Sequence, residues 1–421
     1  MAYQQSDPVL IVSMAAQSNR QFCYQDFPMH LNNIKTRYRA LCLATMLLSA
    51  CGGGGGGGSS GAAPGTTTVH SAYVANYGSN NISQYTIDAT GALTPKTPAT
   101  VAAGFNPTSV TVDPAGKYAY VANSSGVEIS QYTIGAGGGL VPLTPPTAPA
   151  GSAPISVTID PTGKYAYAAN SQSSDVSQFT IAAGGGLVPM TSAATAPSGT
   201  WPVSIVVDAR SQYAYVANQS GNSISQFNIG TGGALTPMSP AATVATGTSP
   251  VSVAVAGDST GSKYVYVANN GSADVWEYSI GTGGALSNIG IIAAGNLGGT
   301  ASLPTAITVA GDSTGSKYVY VTNGAVVSKY TINSNGTLAA MTNPTIPAGI
   351  TAQSVTVDTT GKYVYVANLN GSFSGFPSGT GTVSQYSIGA GGELTAMSIL
   401  AVVSGGVGSQ PYSVTTAVTI Q

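Results

Sequence analysis

The four residues Tyr73-Val74-Ala75-Asn76 return six more times along the chain. The copies begin at Tyr120, Tyr167 (as Tyr-Ala-Ala-Asn), Tyr215, Tyr266, Tyr320 (as Tyr-Val-Thr-Asn) and Tyr365, at spacings of 47, 47, 48, 51, 54 and 45. A period of roughly 40–50 residues is that of propeller blades. Outward from the copy at Tyr120, four strand signals can be read. Pro107-Thr108-Ser109-Val110-Thr111-Val112 comes first, followed by the turn Asp113-Pro114-Ala115-Gly116. In that turn Pro presets φ, Gly accepts φ above zero, and Asp can bond the turn backbone. Lys117 to Asn123 then alternates at period two, as a strand does. Ile129 to Ile134 is the third signal, and the glycine-rich turn Gly135 to Gly139 leads to a fourth at Leu140 to Leu143. Four antiparallel strands make one blade, and blades stack because neither face of a blade can stay wet.

Counting strands predicts how the ring closes. The second-strand phrase occurs seven times, beginning at residue 73. The first-strand phrase also occurs seven times, near Ser109, Ser156, Ser204, Ser252, Ala306, Ser354 and Ser413. The first repeat therefore lacks its opening strand, and a spare one stands at the end, Pro411-Tyr412-Ser413-Val414-Thr415. The expected fold is all-β: a seven-bladed β-propeller of four-stranded antiparallel blades over residues 69–421, with the C-terminal strand completing the first blade. That closure removes the exposed edges an open solenoid would keep. Residues 256–264 are repeated verbatim at 310–318, which points to duplication of whole blades.

Composition agrees. Hydrophobic residues make up 43% of the 421 and charged residues only 6%, against about 25% charged in an average soluble domain. Disordered chains combine low hydrophobicity with high charge, so disorder is excluded. The 55 Gly and 24 Pro suit many short strands and tight turns. A net charge of −2 without a basic block excludes a nucleic-acid partner. The three cysteines, Cys23, Cys42 and Cys51, all precede the repeats, so no disulfide staples the domain.

Residues 1–50 read as an N-terminal extension and export signal. Lys35, Arg37 and Arg39 precede a short apolar run, Ala40 to Leu48, and then Leu48-Ser49-Ala50-Cys51. A basic start, a short apolar core and small residues before a cut site describe a secretory signal. Translation starting at Met29 would make it compact. The last four residues resemble a bacterial lipobox, which implies lipid attachment at Cys51 and a membrane partner through that anchor. Residues 51–68, with seven consecutive glycines at 52–58, form a flexible tether. The expected location is the cell envelope, facing the periplasm or the cell surface.

The Tyr-Val-Ala-Asn and Tyr-Val-Thr-Asn phrases, the Asp-Pro-X-Gly-Lys-Tyr turns and the Gly-X-Leu-Thr-Pro segments resemble the YVTN and lactonase-like propeller group over about residues 69–420. The resemblance implies the seven-bladed fold. It also implies, for some relatives, hydrolysis of sugar lactones including 6-phosphogluconolactone, and for others a binding role at the surface or in the periplasm.

Chemistry-bearing residues are few. The Asp-Pro-X-Gly turns and glycine turns should share one face of the ring, and the loops after Asn123 and before Pro107 the other. The second face, with the mouth of the central channel, is where a ligand is expected. The residues just before the inner strands include Asn106, Trp201 and Gln410, with Tyr412 close behind. This neutral, partly aromatic set suits stacking and hydrogen bonding to an uncharged ligand such as a glycan. Glu128, Asp175 and Asp274 each follow a repeat Asn by five residues and should lie on that face, as solvated turn acids or as a polar-ligand rim. His70 falls at a solvated turn on the opposite face, so neither a Ser-His-Asp triad nor a histidine-held metal is expected, and no cofactor is implied. Hydrolysis of a lactone needs a base or an activated water. The residues thus favour a binding or scaffold propeller for a neutral glycan, peptide or envelope protein. A lactonase-like hydrolase is the alternative, and a purely structural envelope component the third reading.

Overall fold

The computed structural model describes residues 68–191, 194–295, 303–312, 314–370 and 380–420. The export signal, Cys51 and the glycine tether lie outside the described residues.

Seven antiparallel sheets follow one another, each built from consecutive strands except where the ring closes. Blade 2 is representative, with strands Pro107–Val112, Tyr118–Asn123, Glu128–Ile134 and Leu140–Pro149. Blades 3 to 7 open with inner strands Pro154–Ile159, Pro202–Val207, Pro250–Asp258, Pro304–Asp312 and Ile350–Val357. In blades 3 and 4 the outermost strand is divided into two short pieces, Leu187–Pro189 with Thr195–Pro197, and Leu235–Pro237 with Thr243–Ala245. Blade 1 takes its inner strand, Pro411–Ile420, from the far end of the chain and pairs it with Thr68–Asn76. Val74 lies opposite Val414 and Ser71 opposite Ala417. The closure predicted from counting strands is the closure found.

The repeated phrase supplies the seams between blades. Every phrase Tyr is fully buried. Its hydroxyl donates to a glycine-turn carbonyl of the next blade: Tyr73 to Gly138, Tyr120 to Gly185, Tyr167 to Gly233, Tyr215 to Gly284, Tyr266 to Gly336 and Tyr320 to Gly392. Tyr365 carries the pattern across the closure to Gly91, at 2.7 Å. The receiving glycine is needed twice over. Gly185 has φ +81, and a Cβ there would strike the ring of Tyr118; L side chains avoid that backbone region.

A second seam uses the recurring third-strand glutamine. The side-chain oxygens of Gln84, Gln131, Gln178, Gln226 and Gln385 accept the amide that opens the next blade's fourth strand, at Leu140, Leu187, Leu235, Leu286 and Leu93. Two blades depart from this pattern. Lys329, 2% exposed, pairs instead with Glu393 of the next blade. Glu277, also 2% exposed, keeps the glutamine's role by accepting the Leu338 amide at 3.0 Å. Burial pushes its carboxyl above the usual range, and the Leu338 amide offsets only part of that shift.

This sets a pH dependence. A carboxyl whose folded-state pKa is raised costs nothing while it is protonated in both states. The cost grows as pH rises from the ordinary carboxyl value, about 4.3, toward the raised folded value. Denaturant unfolding followed from acid to neutral pH should show stability falling through that window. Glu277→Gln should remove this fall and leave the protein more stable at neutral pH. An unchanged pH slope in the variant would show that Glu277 carries no such cost.

Candidate functional site

Strand direction places the Asp-Pro-X-Gly and glycine turns on one face of each blade, here called the turn face. The Asn-to-third-strand loops and the blade-to-blade crossings lie on the other, the loop face. On the turn face, Asp160, Asp208 and Asp358 each accept backbone amides of their own turn. A cavity of about 450 Å³ there is lined in part by Gly257, Asp258, Gly311 and Asp312. Both aspartates are already occupied. Asp258 pairs with Lys263 at 2.5 Å and Asp312 with Lys317 at 2.6 Å, and the lysines hold both carboxyls well below the usual range. Arg210 lies on the same face and donates to the Thr260 carbonyl.

The inner strands of the seven blades line the channel. Their recurring serine acts across the blade boundary. The amide of Val157 donates to Ser109 Oγ at 3.2 Å, Ile205 to Ser156 at 3.4 Å, Val253 to Ser204 at 3.2 Å and Ile307 to Ser252 at 3.2 Å. Val414 donates to Ser354 and Val110 to Ser413, each at 3.3 Å. Ala306 interrupts the collar at blade 6. All six serines line a cavity of about 430 Å³ that holds Trp201, Gln219, Asn270, Gln353 and Tyr412 at its polar wall. That volume is in the range of small-molecule sites. Tyr412 is the titratable side chain of this lining. Burial, with a smaller contribution from the Tyr77 phenol, raises its pKa, so it stays protonated and can donate. The two rings are tilted at 32° with centroids 5.8 Å apart.

The residues just before the inner strands share a backbone state. Asn106, Ala153, Trp201, Ser249 and Gln410 have φ between 48° and 59°. The left-handed turn swings each carbonyl onto the amide that follows the repeat Asn or its equivalent. Ser124 donates to Asn106, Ser171 to Ala153, Gln219 to Trp201, Asn270 to Ser249 and Tyr77 to Gln410. What the side chains then do differs. Trp201 reaches the cavity. Asn106 turns toward the loops that follow the second strands of blades 1 and 2, its amide donating to the Tyr77 carbonyl at 3.0 Å and its oxygen accepting from Ser125 at 2.7 Å. Gln410 is exposed beside Gly78.

Glu128, Asp175 and Asp274 lie opposite Asn123, Asn170 and Asn269 at the start of their third strands. Asp175 accepts from Asn170 at 2.7 Å and from Ser173 at 2.9 Å. Asp274 accepts from Asn269 at 2.9 Å and from Ser272 at 2.8 Å. At Glu128 the Asn123 amide reaches the backbone carbonyl at 3.3 Å. These acids sit on the loop face, each in its own blade and outside the cavity lining. Among the described residues no three acidic, histidine or cysteine side chains converge as a metal site would require.

Of the candidates, the structure therefore brings Trp201 and Tyr412 together in one cavity. They stand on blades 4 and 1, nearly opposite each other in the ring. The serine collar, Gln219, Asn270 and Gln353 were not singled out as site residues. The signal available for the serines was their recurrence three residues after the mouth positions, which reads equally well as strand chemistry.

No curated protein matches the chain. Solved structures share the fold at low identity. A candidate 6-phosphogluconolactonase from Bacteroides fragilis is 21% identical with a TM-score of 0.67, covering 83% of this chain and 98% of its own. A second, from Bacteroides uniformis, is 20% identical with a TM-score of 0.68, covering 83% and 99%. A periplasmic gluconolactonase from Pseudomonas aeruginosa is 18% identical with a TM-score of 0.65, again covering 83% and 99%. The profile described as "Lactonase, 7-bladed beta-propeller" matches residues 73–298, more than half of the chain. Seven closed blades, seams built from the repeated phrase and this match agree: the chain belongs to the lactonase seven-bladed β-propeller family.

Proposed function

We propose that the protein is a lactonase-like hydrolase of sugar lactones, with the substrate seated where the channel opens on the loop face. The family match over residues 73–298 carries this reading. The cavity of about 430 Å³ supports it as the place of reaction. Hydrolysis adds water to the lactone carbonyl and breaks the ring C–O bond, leaving an aldonic acid and a free hydroxyl. Charge develops on the carbonyl oxygen on the way, and fixed donors aimed at that oxygen lower the barrier. The protonated Tyr412 hydroxyl and the collar serines are the donors available.

One observation favours a second reading. The described cavity lining contains no carboxylate, imidazole or amine, so a general base must come from elsewhere or be absent. Recognition of a neutral glycan without chemistry is what this lining would support on its own.

Hydrolysis of a panel of aldonolactones by the purified protein separates the two readings, with heat-denatured protein as the control. Turnover is expected above that control. Tyr412→Phe should lower kcat by about tenfold or more, since loss of an oxyanion donor costs on the order of 10²-fold where it is well placed. Turnover no faster than the denatured control across the panel would leave the glycan-binding reading.

A further inference from the structure

We infer that the channel-mouth site takes uncharged sugar lactones and rejects phosphorylated ones, with the sugar ring held between Trp201 and Tyr412. The inference rests on the hydrolase reading above for the identity of the ligand as a lactone. Its physical basis is separate, and lies in where the charges stand.

Residues 68–421 contain eight basic side chains. Lys117, Lys164, Arg210, Lys263, Lys317 and Lys362 belong to the first hairpin turns, on the turn face. Lys96 donates to the Gly137 carbonyl of a glycine turn at 2.8 Å, on the same side. Lys329 is buried in an outer seam against Glu393. Among the described residues the loop face holds Glu128, Asp175 and Asp274, with no basic side chain beside them. Within the repeats, the undescribed stretches 192–193, 296–302, 313 and 371–379 carry no charged residue in the sequence. A phosphomonoester carries about −2 at neutral pH and is held by Arg, Lys or clustered amide donors. Here it would approach three carboxylates and a lining of hydroxyls, amides and aliphatic side chains.

Trp201 is the second observation. It is 42% exposed at a left-handed position, where a bulky residue is strained. Its backbone role, offering a carbonyl to the Gln219 amide, is performed in other blades by Ala153 and Ser249 at φ 55 and 54. The fold therefore does not require an indole there. Tyr412 faces the same cavity from nearly the opposite side of the ring. Two aromatic side chains in a mouth ringed by hydroxyls suit a neutral sugar ring: its C–H groups can meet the aromatics and its hydroxyls can meet Ser, Gln and Asn.

Calorimetric titration of the whole protein with two inert ring analogues tests this: a neutral aldonolactam and the same lactam carrying a 6-phosphate. The neutral lactam should bind at least about tenfold more tightly, and the gap should narrow at high salt as the loop-face charge is screened. Trp201→Ala should weaken the neutral lactam by about tenfold while the fold persists, as Ala153 shows alanine is accepted at this position. Gln353→Lys should strengthen binding of the phosphorylated lactam. Equal or tighter binding of the phosphorylated analogue, or no binding of either, overturns the inference. Turnover of the matching lactones is read in parallel. Selective lactam binding without turnover would keep the selectivity and discard hydrolysis; turnover of the phosphorylated lactone alone would do the reverse.

Discussion

Deleting residues 411–421 should abolish the cooperative thermal transition and leave an aggregating chain. The strand lost is not a tail. Val414 and Ala417 are 4% and 3% exposed, packed among the cores of blades 1, 2 and 7. Ser413 accepts the Val110 amide of blade 2, and the Val414 amide donates to Ser354 of blade 7. Deletion therefore opens three connections at once: a ladder running from Thr68 to Asn76, and the seams on both sides. It also uncovers an unpaired strand edge, a ready template for intermolecular pairing. A typical domain is stable by only about 5–15 kcal/mol, and loss of a whole buried strand is of that order. Circular dichroism melting and size-exclusion chromatography would report the result. A cooperative, monomeric truncated protein would mean that the other six blades hold without the closing strand.

Tyr266→Ala should be among the most damaging single substitutions, and Tyr266→Phe separates its two contributions. The ring is fully buried in the core shared by blades 5 and 6, and its hydroxyl donates to the Gly336 carbonyl at 2.8 Å. Burial and the neighbouring Glu277 carboxylate hold the phenol far above its usual pKa, so it remains a donor at any ordinary pH. Removing a buried aromatic ring costs about 3–5 kcal/mol. Removing the hydroxyl alone strands a buried carbonyl at a cost of about 1–3 kcal/mol. Urea unfolding should place the phenylalanine variant between the wild type and the alanine variant. If phenylalanine costs nothing, the recurring hydroxyl is not what joins the blades.

Much of this was legible in the sequence because the blades are built from local, periodic chemistry. The Tyr-Val-Ala-Asn copies mark the second strands, and the surplus strand at Pro411 fixes the closure. The seams were visible as recurrence at Gln84 and its equivalents, though not what those side chains reach. A partner such as Leu140 lies 56 residues away, in the next blade. The site was legible in part, and the reason is conformational. Asn106, Trp201 and Gln410 occupy one repeat position and share one backbone state, yet only Trp201 meets the cavity. A short amide such as Asn106 finds hydrogen bonds in two neighbouring loops, at Tyr77 and Ser125, whereas the indole of Trp201 lines the cavity. The left-handed φ that these positions share leaves little trace in the sequence when the residue is not glycine.

The pairing of the two chain ends inside blade 1 has one more consequence. Val69 lies opposite Thr419, both at the turn-face end of the same ladder. Every seam described joins neighbouring blades in the same sense, and the closure repeats the pattern at Tyr365 and Gly91. The ring thus has no privileged starting point. A circular permutant that links these ends through a short peptide and opens at a loop-face crossing elsewhere would keep each of those bonds, because to the folded molecule the order of synthesis is immaterial.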